Sequence, residues 1–233
     1  MLIPANSSFK MKDTALNTFK EYLEDAVIWI GSSPRAWAKT VITDEKIIAS
    51  LPVDPPTRSQ LRDYCADASH SDEACFLAVV AWGGMRRIHG RSAWAAMNKW
   101  LPLIRAMRSG KLTERKQLFS QFLSANVPGM GPAYFTKLMF FMCKSQNCYI
   151  LDQWTARSTN LLVQSDTPLI KLTGGTWVNK SNTPDNYSAY CDFVEQLAAD
   201  LERKPEQIEE KMFSGGKGNR WRKYIKAAHS GKA

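Results

Sequence analysis

The stretch "VPGMGPAYFTKLMFFM", residues 127 to 142, sets Gly129 and Gly131 around a methionine and runs straight into an apolar segment. Glycine permits a tight turn and lets a foreign group approach the backbone closely. Where such a turn opens a helix, unpaired amides and the positive end of the helix dipole make a place for a phosphate. The same pattern also serves a plain helix–helix connection. Further along, "YILDQWTARS" places Asp152 at the mouth of the next helical segment. A carboxylate beside a sugar that is losing its base offsets the positive charge developing there. An Asp at that position equally well caps the helix.

Other residues gather around these two features. Lys137 follows Ala133 by one helical turn, on the same face and among apolar neighbours. It is either a pocket lysine or one lying along a helix edge. In "AWGGMRRIHG", Trp82 ends an apolar run, and Arg86, Arg87, His89 and Arg91 form a basic cluster just after it. Trp82 can fill the gap left by an extruded base or pack in the core. Trp154 and Arg157 follow Asp152 within two turns, where they can meet flanking phosphates; Trp154 has core packing as its other reading. The closing stretch "GGKGNRWRKYIK" interleaves basic and aromatic residues.

The elements that must position these residues read as helices. Apolar positions 16, 19, 23, 27 and 30 mark a first helix, with Asp13 as its cap. Ser33 followed by Pro34 opens a second. After a break at "LPVDPP", two helices lie in "TRSQLRDYCADA" and "SDEACFLAVVAW". The latter is opened by Ser71 and turns wholly apolar, so it belongs at the centre. Further helices fall over 92–108, 113–125, 132–143 and 153–163. The segment 167–186 reads as a loop with a short hairpin about Gly174-Gly175. "YSAYCDFVEQLAADLE", "KPEQIEEKMF" with Pro205 at its start, and "NRWRKYIKAAH" complete the chain. The fold class is all-α. The helices over 113–125 and 132–143, joined by "NVPGMG", make a helix-hairpin-helix.

The 233 residues carry a net charge of +9 and a sequence pI near 9.3. That balance suits a polyanionic partner, nucleic acid first. No apolar run is long enough for a membrane span, and the N-terminus lacks the pattern of an export signal. Five cysteines at 65, 75, 143, 148 and 191 and three dispersed histidines point to reduced thiols and to no structural metal or iron–sulfur cluster.

The hairpin together with the later acid resembles the helix-hairpin-helix DNA glycosylase superfamily, and within it the 8-oxoguanine glycosylase branch. The resemblance covers roughly residues 72 to 163. It implies a single glycosylase-like unit over 1–233, with two helical subdomains, 1–70 plus 164–233 and 71–163, and a cleft between them. It implies that Gly129 and Gly131 grip a phosphate, that hairpin carbonyls can hold a monovalent cation, and that no other cofactor is needed. Asp152 would be the catalytic carboxylate, and Arg87 would fall at the position that reads the orphaned base. Relatives with lyase activity carry a lysine where this chain has Ala133. That departure favours a monofunctional hydrolase, with Lys137 reading the base or standing in as nucleophile. The expected activity is excision of a modified, guanine-type base from DNA. Two alternatives stay open. One is a catalytically inactive module that binds nucleic acid or a modified base. The other is an accessory of bacterial anti-phage defence acting on a deazaguanine-type base, with defence-system proteins as partners. Either way the resemblance implies a bacterial, cytoplasmic protein.

Overall fold

The computed structural model describes residues 8–25, 29–214 and 219–229. Among them the chain forms thirteen helices and one two-stranded antiparallel hairpin, so the fold is all-α as expected. No helix among the described residues is long and apolar enough to cross a membrane. None of the five cysteines is in a disulfide, and all five are buried.

The helices divide into two compact units, residues 30–148 and residues 1–29 with 149–233. The expected subdomain limits lay at 70/71 and 163/164. The difference comes from packing: α2 (Pro34–Ala38) and α3 (Glu45–Ser50) pack against α5 (Asp72–Trp82), and α4 (Arg58–Ala66) against α5 and α9 (Pro132–Met142).

Within the unit 30–148, α5 is the centre. Ser71 caps it by accepting from Ala74 N, and every residue from Ala74 to Trp82 is buried. A helix apolar on all sides must be covered on all sides. α2, α3, α4, α7 (Met97–Ser109) and α9 do so. The helix expected over 92–108 is two helices, α6 (Arg87–Ala95) and α7, broken at Ala96. Trp100 explains the break. Its indole stacks on Phe76 at 3.8 Å and donates to the Ala93 carbonyl at 2.8 Å, which ends the ladder of α6. α8 (Arg115–Ala125) then leads through Asn126, at a left-handed φ of 41°, into the hairpin that opens α9.

The other unit holds α1 (Asp13–Glu21), α10 (Gln153–Leu162), α11 (Pro184–Asp200), α12 (Pro205–Phe213), α13 (Arg220–His229) and the strands β1 (Leu172–Thr173) and β2 (Trp177–Val178). α1 starts at Asp13, with Lys12 in the cap position. It stops at Glu21, short of the expected limit. The reason is tertiary: Asp25 turns back to pair with Arg220 at 3.0 Å, whose guanidinium lies 4.6 Å over the Tyr22 ring. Val27 and Gly215 to Gly218, which figured in the sequence reading, lie outside the described residues, as does the chain start.

α10 is the common support of this second unit, contacting α1, α12, α13 and β2. One buried hydroxyl joins three of these helices. Ser158 Oγ donates to the Met212 carbonyl at 2.8 Å and accepts from the Trp221 indole at 3.0 Å. Ser158→Ala therefore strands a buried N–H and a buried carbonyl. We expect it to lower stability by about 1–3 kcal/mol in urea denaturation.

Candidate functional site

In the unit 30–148 the site starts at the hairpin. Met130 N donates to the Val127 carbonyl at 3.1 Å, and both side chains are buried, which anchors the turn. Gly129 has a φ of +75°, and a Cβ there would lie 2.8 Å from the His89 backbone. The residue must be glycine both for its conformation and because the turn sits on the first turn of α6. Gly131 differs. It has an extended backbone, and a Cβ there would meet nothing within 4 Å. It is the N-cap of α9 without a side-chain cap bond, followed by Pro132. Packing does not require a glycine at 131; what it provides is open backbone at a helix N-terminus, the geometry an approaching phosphate needs. The Val127 and Gly131 carbonyls already accept backbone amides. A monovalent cation would have to draw on the remaining hairpin carbonyls, and no step below depends on one.

Lys137 is only 7% exposed. Its stem lies along Gly83, where a Cβ would fall 2.6 Å from Lys137 Cδ. Its Nζ donates to the Ala133 carbonyl at 2.7 Å and sits 5.8 Å from the centre of the Tyr134 ring. A helical side chain leans toward the helix N-terminus. The amine of Lys137 therefore arrives at Ala133. A cation at the N-terminal end of a helix opposes the helix dipole, so local stability does not account for it.

Arg87 is exposed, and its Nε donates to Thr40 Oγ1 at 2.9 Å; Arg91 reaches the Thr40 carbonyl at 2.9 Å. With Arg86, whose backbone hydrogen-bonds the Tyr134 hydroxyl, they form a basic surface on the helix that carries the hairpin. Trp82 requires correction. It is 5% exposed, meets Phe141 edge-to-face at 5.0 Å and is covered by Gly31, so it packs in the core and does not project as a wedge. The wholly apolar helix that Trp82 ends is central, and burial follows from that.

In the other unit Asp152 is 8% exposed at the start of α10. The strand-like segment before it is held by two buried tyrosines: Tyr187 donates to the Tyr149 carbonyl at 2.9 Å and Tyr190 to the Ile150 carbonyl at 2.7 Å. Asp152 is a true cap. Its Oδ1 accepts from Trp154 N at 2.7 Å and Thr155 N at 3.1 Å, and Thr155 Oγ1 accepts from Asp152 N at 2.9 Å. Both cap bonds end on Oδ1. Oδ2 accepts no hydrogen bond among the described residues. The cap thus occupies one oxygen of the carboxylate and leaves the other without a hydrogen bond among those residues.

Cations surround Trp154, two residues on. The Trp154 ring has Arg222 at 4.3 Å, Arg157 at 5.2 Å and Lys226 at 5.6 Å. Arg222 donates to the Phe213 carbonyl at 2.9 Å, while its buried Nε has no partner. Burial lowers the Arg222 pKa, and the Asp152 carboxylate counters that. Arg157 also donates to the Gly175 carbonyl at 2.7 Å. Arg222 and Lys226 were legible only as part of a basic, aromatic stretch. Their spacing of four places both on one face of α13, adjoining the face of buried Trp221 and Ile225.

The two hairpin glycines therefore make separable predictions. Gly129→Ala should lower stability by about 1–3 kcal/mol through backbone strain and the clash with His89. Gly131→Ala should leave the thermal midpoint unchanged yet weaken binding to a DNA oligonucleotide, as read by fluorescence anisotropy.

A family model described as "Putative 8-oxoguanine DNA glycosylase OGG-like protein" matches residues 28–213. No curated protein and no solved structure matches the chain. The matched span takes in the hairpin, Lys137, Asp152 and most of both units, and on that extent the chain belongs to the OGG-like 8-oxoguanine DNA glycosylase family.

Proposed function

We propose that this protein binds DNA and hydrolyses the N-glycosidic bond of a modified guanine-type base, 8-oxoguanine or a relative, without lysine lyase activity. The observation that carries the reading is the Asp152 carboxylate, fixed through Oδ1 and open at Oδ2. As the glycosidic bond breaks, its electron pair leaves with the base and positive charge builds on the sugar. Oδ2 faces that charge, water adds to the sugar carbon, and the base takes up a proton. Within its own unit the hairpin at Gly129 and Gly131 takes a backbone phosphate, and Arg87 adds a contact to the strand. Trp154 and Arg157 contribute the basic, aromatic surface beside Asp152. Lys137 presents a hydrogen-bond donor at Ala133, which fits a side chain that reads an acceptor group on the base. A Schiff-base nucleophile would have to be the neutral amine.

One observation favours a second reading, that of a module that binds without turnover: Ala133 stands where lyase relatives carry a lysine. A single-turnover base-release assay on oligonucleotides carrying 8-oxoguanine and other modified bases separates the two. Asp152→Asn keeps the cap, because Asn caps as well as Asp, and should preserve binding while reducing base release by at least about 100-fold. Equal rates in both proteins would remove Asp152 from the chemistry. Borohydride added during turnover should trap no covalent protein–DNA adduct. An adduct lost in Lys137→Ala would instead make Lys137 the nucleophile.

Binding should also weaken steeply with salt, because the +9 chain neutralises phosphates and releases their counterions. A flat titration between 50 and 200 mM salt, the range over which such binding is known to fall steeply, would exclude a phosphate-dominated interface.

A further inference from the structure

The hairpin Leu172–Val178 presents a tryptophan to solvent. Trp177 is 68% exposed, although tryptophan is ordinarily among the largely covered side chains. The strands pair Leu172 with Val178 and Thr173 with Trp177. Side chains alternate between the faces of a strand. Leu172 and Val178, both half-buried, therefore share one face, and β2 packs on α10. Trp177 and Thr173 stand on the opposite face, with Lys171 and Asn179 next along it. The turn is closed by Gly174 and Gly175 at φ of 55° and 64°, with Thr176 N donating to the Thr173 carbonyl at 3.1 Å. It is also tied down. Arg157, on the helix that Asp152 caps, donates to the Gly175 carbonyl at 2.7 Å and to Thr176 Oγ1 at 3.2 Å. The finger is thus pre-positioned on the helix that starts at the candidate catalytic acid.

We propose that Trp177 is a stacking platform for an unpaired nucleobase of the bound strand. This rests on the nucleic-acid reading above and adds a recognition site to it. The charge of the segment supports a nucleobase as the occupant. Between Asp166 and Asp185 the segment carries no acid, and it carries two cations, Lys171 on the face of Trp177 and Lys180 just past the finger. An aromatic plane between cations is the arrangement that holds single strands: the base stacks and the cations follow the phosphates. Every base has a π face, so the platform tolerates sequence. It favours a strand with unstacked bases over an intact duplex.

The test is fluorescence anisotropy with labelled single-stranded DNA, single-stranded RNA and duplex DNA of one sequence, on the whole protein. Trp177→Ala should weaken single-strand binding roughly five-fold or more, and Trp177→Phe should retain most of it. The salt slope should stay unchanged in Trp177→Ala and fall in Lys171→Ala, because only the latter removes a phosphate partner. The two single-strand arms decide whether the sugar matters to the platform. Because Trp177 is exposed, its removal should leave the thermal midpoint unchanged. Equal single-strand affinity in wild type and Trp177→Ala overturns the platform while leaving the glycosylase reading intact. Absence of binding to any of the three nucleic acids defeats both. A wild-type dimer that becomes monomeric in Trp177→Ala, seen by sedimentation, assigns the surface to a second copy and also overturns the proposal.

Discussion

One carboxylate oxygen organises half of this molecule. Asp152 Oδ1 accepts the two amides that open α10, and Thr155 closes the box in the reverse direction. Four backbone amides at a helix start have no partner within the helix, so a side chain that satisfies two of them fixes where the helix begins. α1, α12, α13 and β2 all pack on α10, and α11 packs on α12. Ser158 receives α12 and α13, and Arg157 holds the turn of the exposed hairpin. A displacement of the cap would move these attachments together. The same rigidity would serve the proposed chemistry, because an acid that counters a developing charge is effective only when held in place beforehand.

The unit 30–148 meets a different constraint. Its hairpin is pressed against α6 so closely that only a glycine fits at 129, while 131 faces open space. Two glycines that look equivalent in "PGMG" thus differ: packing demands the first and not the second. Lys137 belongs to the same end of α9. Its stem is covered by Gly83, and its charge is returned to residue 133 against the helix dipole. Local preferences that lose in this way concentrate at functional sites.

Aromatic side chains in this protein divide into two populations. Trp82, Trp100 and Trp221 are core. Trp154 is half-covered among three cations, and Trp177 is bare. Indoles of the second kind gain little from exposure to water, whereas a nucleobase supplies the missing contact surface.

Much of this was legible in the sequence. Ser33, Ser71 and Pro205 mark their helix starts correctly, because caps and N1 prolines act within a few residues of chain. The glycine pair at 174–175 marks its turn for the same reason, since only glycine enters positive φ without strain. The hairpin and the acid that follows it are local patterns too, and they carried the family. What the sequence left open depended on residues far apart along the chain. The break at Ala96 is made by Trp100 meeting Phe76, and the early stop of α1 by Asp25 meeting Arg220. Trp82 is core and Trp177 surface because of what packs over each. The free Oδ2 of Asp152 is likewise a tertiary fact. The sequence placed an acid where a cap of α10 belongs, because capping needs only the next three amides. Only the folded chain decided that both bonds fall on one oxygen, because the tyrosines of α11 fix the segment from which the carboxylate projects.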